Sequence, residues 1–346
     1  MRCWIIIPFL VLFLSVPAKA MEFQAPQVPD SGEAFMPNEP ETFSEGLWAI
    51  VKEGIQRSQP AITQAAGICL CLIAVLLLGS LVNVLPGSSL QVTELAGSIA
   101  VAGILLKSSN TLIQLGMDTV RELSEYGKLL TPVLTAALAA QGGATSSAAL
   151  YSGTILFNTV LSALITSILT PLIYIFLCLT TAKSAIGADI LGKLQDFVKW
   201  LMTWSLKIML YVFTGYIGIT GVVSGTTDAA ALKAAKLTIS GVVPVVGGIL
   251  SEASEAVLVS AGVMKNAAGV YGLLSILAVW IHPFLKIGIQ YLMLKSTCAI
   301  CGVFGVKSTT KLIQDFSTAM GLLLAMTGAV CLLLLISIVC FMKGVG

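Results

Sequence analysis

Charge is scarce in this sequence. Charged residues fill 10% of the 346 positions and hydrophobic ones 57%, whereas a soluble domain carries about 25% charged residues. A single histidine argues against a His-ligated metal site and against a histidine general base. The net charge is only +2 and there is no basic cluster, which excludes nucleic acid as an expected partner. No nucleophile elbow, zinc-protease motif or dinucleotide fingerprint occurs. The run Gly302 to Ser308 superficially resembles a phosphate loop, but Val306 separates Gly305 from Lys307 and the spacing fails. These absences imply a non-enzymatic protein with no cofactor and no identifiable small-molecule substrate.

What is present is apolar. A mean hydropathy of +0.96 describes an all-α polytopic membrane protein, with the lipid bilayer as its surroundings. The eight cysteines lie mostly inside apolar runs, where Cys behaves as a small hydrophobe. Cys298-x-x-Cys301 has a redox or zinc spacing but stands without a second pair or a nearby His.

Residues 1–20 read as a signal peptide. Arg2 supplies the charge, an apolar core follows, and Ala18-Lys19-Ala20 is the cleavage site, with an uncleaved anchor as the alternative. Residues 21–46 form an acidic, proline-rich linker without Lys or Arg, expected to be disordered and extracytoplasmic. Residues 47–114 hold an amphipathic helix and the first spans. Phe43, Leu47, Trp48, Val51 and Ile55 recur at helical spacing as its apolar face, and Pro60 ends the pattern. Spans are expected at 62–84, closed by Pro86-Gly87, and at 95–115. About six transmembrane helices are expected in all, the others falling within 151–181, 200–223, 270–294 and 319–341. Amphipathic pieces at 118–128, 187–199 and 306–316 and a short broken segment at 129–140 separate them.

The second half rhymes with the first. Pro171 and Lys183-Ser184 are separated as Pro283 and Lys295-Ser296 are. KLQDF at 193–197 returns as KLIQDF at 311–316 with one residue inserted, and Asn158 pairs with Asn266. Residues 115–223 and 226–342 therefore read as two copies of one membrane unit. The copies are parallel if 151–181 crosses once and inverted if it turns back at Pro171.

The stretch KLTISGVVPVVGGILSEASEAVLVSAGVMKNAAGVYG, residues 236–272, contains two apolar runs too short to span. One is broken by Pro244 and by Gly247-Gly248; Glu252, Glu255, Lys265 and Asn266 are its polar residues. A spanning helix needs about 20 apolar residues, so this reads either as a re-entrant or interfacial hairpin with a polar tip or as an amphipathic helix lying on the membrane surface. Its residues are the candidate pore or partner-contact positions. Lys107, Lys207 and Lys286 are further charges in or beside spans, where snorkelling to the headgroups competes with function. His282-Pro283 could mark a proton relay or a packed kink. Gly215, Gly218, Gly221 and Gly225 would let helices approach closely.

The block PVVGGILSEASE followed by MKNAAGV, with Pro283 and Lys286 beyond it, resembles the stage III sporulation protein AE family of endospore-forming bacteria. The likeness runs from about Glu41 to the C-terminus. The resemblance implies a multi-pass protein of the mother-cell membrane around the forespore. It implies membership of a transenvelope channel or feeding complex, with other membrane proteins as partners, needed for forespore development after engulfment. It carries over no catalytic residue. A stand-alone secondary transporter, with its site between the paired broken hairpins, is the alternative.

Overall fold

The computed structural model describes residues 26–37, 42–82, 90–186, 189–242, 247–302 and 307–343. Their side chains are described except at 90–94, 189, 220–261, 264 and 307. The signal peptide, part of the linker, Pro86-Gly87 and Pro244 lie outside these ranges. The described residues are helical apart from short turns, with no strand among them. In order, the helices are α1 (Asp30–Glu33), α2 (Phe43–Arg57), α3 (Gln59–Val82), α4 (Leu90–Ala140), α5 (Ala144–Leu164), a π-turn (Ile165–Leu169), α6 (Thr170–Ile186), α7 (Asp189–Val242), α8 (Gly247–Gly302) and α9 (Lys307–Lys343).

Several segments expected to be separate are single helices. The apolar 95–115, the charged 118–128 and the short 129–140 are all part of α4, which runs for 51 residues. Pro132 does not end it. Thr131 Oγ1 donates to Gly127 O at 2.5 Å and Thr135 Oγ1 to Thr131 O at 2.7 Å, so side-chain bonds brace the turns around the proline. The connector 187–199 likewise continues into the next span as α7, and 306–316 into α9. None of these junctions contains a residue that forces a break. At 1.5 Å per residue α4 is about 76 Å long, against a hydrocarbon core of about 30 Å. The helices therefore extend well beyond a bilayer.

The true break lies where paired glycines stand. Gly142 adopts φ 92°, a left-handed conformation open to glycine. Its N–H donates to Ala139 O, and Gly143 N–H to Leu138 O at 3.2 Å, closing α4 before α5 begins. The stretch around Pro171, by contrast, does not turn back. Proline lacks an N–H, and the π-turn just before it absorbs the irregularity. There both the backbone N–H and the hydroxyl of Thr170 reach Ile165 O, the latter at 2.8 Å. Residues Ala144–Ile186 form one candidate span.

Among the described residues five stretches are long and apolar enough to cross a membrane: Gln59–Val82, Leu95–Ala140, Ala144–Ile186, Lys265–Gly302 and Ser308–Lys343. The further expected span at 200–223 lies on α7, whose side chains from 220 onward are outside the described set. Helix α9 is the hub, touching α4, α5, α6, α7 and α8. It runs antiparallel to α8: Gly272 meets Ile338, Gly321 meets Tyr291, and Cys298 Sγ reaches Thr310 O at 3.6 Å. It runs parallel to α4, pairing Ser98 with Thr309 at one end and Gly127 with Leu334 near the other. Ser184, at the end of α6, meets Ser308, at the start of α9, with hydroxyls 3.3 Å apart. The end of α6 and the start of α9 thus lie together at one end of the bundle.

The N-terminal segment is docked, which corrects the expectation of a disordered linker over its described part. Phe35 is buried with Ile50, Leu274, Ala278 and Ile281, Ser31 hydrogen-bonds Glu122, and Tyr271 donates to Pro26 O at 3.4 Å. Phe35 and Met36 give an otherwise acidic stretch enough apolar surface to anchor. Helix α2 opens with Thr42 Oγ1 accepting from Glu45 N–H at 3.3 Å. The apolar stripe that its periodicity marks stays on the outside. Gly46, Ile50 and Gly54 are buried against α8, while Phe43, Leu47, Trp48 and Ile55 face outward. Small residues allow close helix approach: a Cβ at Gly46 would stand 2.6 Å from Leu274 Cδ1, and one at Gly54 2.7 Å from Ile281 Cγ1. The outward apolar stripe suits lipid.

Candidate functional site

Pro244 lies outside the described residues. Gly247 opens α8, and the backbone is helical from there through Glu252, Glu255, Lys265 and Asn266 to Gly302. The second of the two short runs is therefore no separate piece: Lys265 begins the span Lys265–Gly302 on the same helix. Lys265 is buried and Asn266 exposed. At Gly262, a Cβ would lie 2.6 Å from Gln141 Nε2, which brings this part of α8 beside the turn between α4 and α5.

The residues that suggested a repeat occupy unlike surroundings. Asn158 is fully buried and donates to Ser124 O at 2.9 Å, whereas its aligned partner Asn266 is exposed. Gln195 is buried, accepts from Lys183 Nζ at 3.1 Å and donates to Thr180 Oγ1 at 2.9 Å, while Phe197 faces outward. In the later motif Gln314 is exposed and Phe316 buried. One inserted residue turns a helix by about 100°, so matching letters no longer share a face.

His282 packs against the Phe35 ring, with centroids 6.0 Å apart. Cys298 and Cys301 are free thiols on α8. Gly215 and Gly218 have nothing within 4 Å of a would-be Cβ, so the close glycine contacts expected there fall elsewhere: at Gly116, Gly127, Gly153, Gly269 and Gly272. Gly221 and Gly225 are among the positions whose side-chain surroundings are not described.

One candidate charge does meet other polar groups. Lys286 of α8 lines a narrow cleft with Gln290 one turn on, Gln64 of α3, and Ser108 and Thr111 of α4. Ala61 and Ala65 leave room on the α3 side. Gln290 is buried, and its Nε2 has no hydrogen-bond partner. No carboxylate lines the cleft. The sequence singled out Lys286 for its charge but not its four polar neighbours, because their polarity is ordinary and they come from three distant segments.

Helices longer than a bilayer is thick, many exposed large apolar side chains, and five stretches long and apolar enough to cross a membrane define a polytopic all-helical membrane protein. A profile of the family Stage III sporulation protein AE (spore_III_AE) matches residues 39–344, and the chain belongs to that family. It is similar to Stage III sporulation protein AE of Bacillus subtilis (strain 168), at 24% identity over 184 residues. That alignment covers 53% of this chain and 46% of the relative, so less than half the length of the curated relative is matched. No solved structure matches the chain.

Proposed function

We propose that this protein is a non-enzymatic integral component of a stage III transenvelope complex, the channel or feeding apparatus joining mother cell and forespore. It would reside in the mother-cell membrane around the forespore, with its N-terminal segment on the extracytoplasmic side, and would bind other membrane proteins of that complex. The observation that carries this reading is the family match over residues 39–344. The docked N-terminal segment and the outward apolar stripe of α2 support a membrane-embedded scaffold whose work is contact. The region from Pro244 to Asn266 is the proposed pore or partner-contact element.

Deletion of the gene in its host, with vegetative growth and sporulation scored separately, tests the reading. Normal growth with arrest after engulfment is the expected outcome. Normal sporulation, or a growth defect tied to one nutrient or ion, would overturn it and favour a transporter.

A further inference from the structure

We propose that the cleft formed by Gln64, Ser108, Thr111, Lys286 and Gln290 binds the phosphate of an anionic phospholipid headgroup.

The chemistry of the lining comes first. Lys286 supplies a side-chain ammonium with three N–H donors. Gln64 and Gln290 offer amide N–H groups, and Ser108 and Thr111 offer hydroxyls. Thr111 Oγ1 makes only a long 3.5 Å bond to Lys107 O. Gln290 Nε2 is buried without a partner, and an unmade hydrogen bond of that kind is costly. It is satisfied if an acceptor enters the cleft. With no carboxylate lining it, an anionic oxygen is the ligand that the donor set selects.

Depth comes second. Helix α2 carries Glu45, Lys52, Glu53 and Arg57, and α3 carries no charge from Gln59 to Val82. The cleft lies at the first turns of α3, where charge stops and the apolar span begins. That is the level of the headgroups, where lysine side chains normally reach. Lys107, exposed and next to Ser108, adds a second cation nearby.

The path for acyl chains comes third. Beyond the cleft α3 stays on the outside of the bundle, with Leu70, Leu77, Leu78 and Leu81 exposed, and α4 exposes Leu95, Ile99 and Leu106. A phosphate held at Lys286 would lay its chains along this surface. The cleft holds little more than a single water, so one phosphate oxygen would enter it while the rest of the headgroup stays at its mouth.

The test uses the purified full-length protein in detergent, titrated with phosphatidylglycerol or phosphatidylcholine and read as lipids retained by native mass spectrometry. Phosphatidylglycerol should be retained preferentially. Lys286→Gln should weaken that retention by about tenfold, the usual scale for losing one charge-assisted contact. Lys286→Arg should keep most of it, and Lys207→Gln, at an exposed lysine elsewhere, should leave it unchanged. Equal retention of the two lipids overturns the proposal, as does wild-type retention by Lys286→Gln. A loss shared by Lys286→Arg and Lys207→Gln also overturns it, since the effect would then be general. Displacement of the lipid by millimolar inorganic phosphate would reassign the cleft to a soluble anion and refute the lipid assignment.

Discussion

Gly272 sits where three helices meet, and replacing it tests the packing directly. A Cβ there would stand 2.6 Å from Leu130 Cδ2 on α4 and 3.4 Å from Ile338 Cδ1 on α9. Leu130 and Ile338 are themselves almost fully buried, so neither can swing into solvent. Overpacking of this kind costs about 1–3 kcal/mol. Alanine regains about 0.5–1 kcal/mol over glycine inside a helix. Gly272→Ala should thus destabilise the protein by about 1 kcal/mol, within a range of about 0–2.5 kcal/mol, the overpacking cost less that regain. Gly288, on the same helix, has nothing within 4 Å, so Gly288→Ala should be neutral or gain about 0.5–1 kcal/mol. Unfolding of the purified protein in mixed micelles, followed by tryptophan fluorescence, separates the two. Leu130→Ala alone should cost about 2–5 kcal/mol. Combined with Gly272→Ala it should cost less than the sum, because the residues share one space. Equal effects at Gly272 and Gly288, or strict additivity with Leu130→Ala, would refute the three-helix junction.

Two further outcomes concern topology. With the native cysteines replaced, Ser184→Cys and Ser308→Cys should form a disulfide on mild oxidation, since the native hydroxyls are 3.3 Å apart; no cross-link by mass spectrometry would separate the two turns. Glu252→Cys, also in a cysteine-free background, should react with a membrane-impermeant thiol reagent from one side. Failure to react from either side would remove the case for a water-accessible tip in the proposed contact region.

Much of the helical plan was legible in the residues. The short broken segment expected at 129–140 does end in a break, at the double glycine 142–143, where Gly142 takes φ 92°, which glycine adopts at little cost. Charge placement misled where it imitated a boundary. Asp118, Arg121, Glu122 and Lys128 resembled a connector, yet Val120, Leu123, Tyr126 and Leu130 between them are buried and keep α4 intact. Composition misled at the linker, because Phe35 anchors a segment that its acidic neighbours described as loose. Periodicity at α2 marked the apolar face that stays outward, but not the small-residue face, Gly46, Ile50 and Gly54, that packs on α8. The Lys286 cleft was beyond reach, since Gln64, Ser108 and Gln290 become neighbours only when α3, α4 and α8 pack together.

The orientation of the helices bears on what the two halves do together. Ala144–Ile186 is a single candidate span, and α5–α6 and α8 run the same way, with α7 and α9 antiparallel to them. Contacts of Ser184 with Ser308 and of Ser98 with Thr309 hold the corresponding turns at one end. The break at Gln141–Gly143 falls toward the opposite end, where Gly262 on α8 lies beside Gln141. A transporter of the inverted kind needs its two broken segments to meet near the bilayer midplane from opposite sides. The bundle interior is filled by packed side chains, such as Leu123, Phe316 and Met326. A packed interior fits the proposed scaffold role better than a solute site at the midplane.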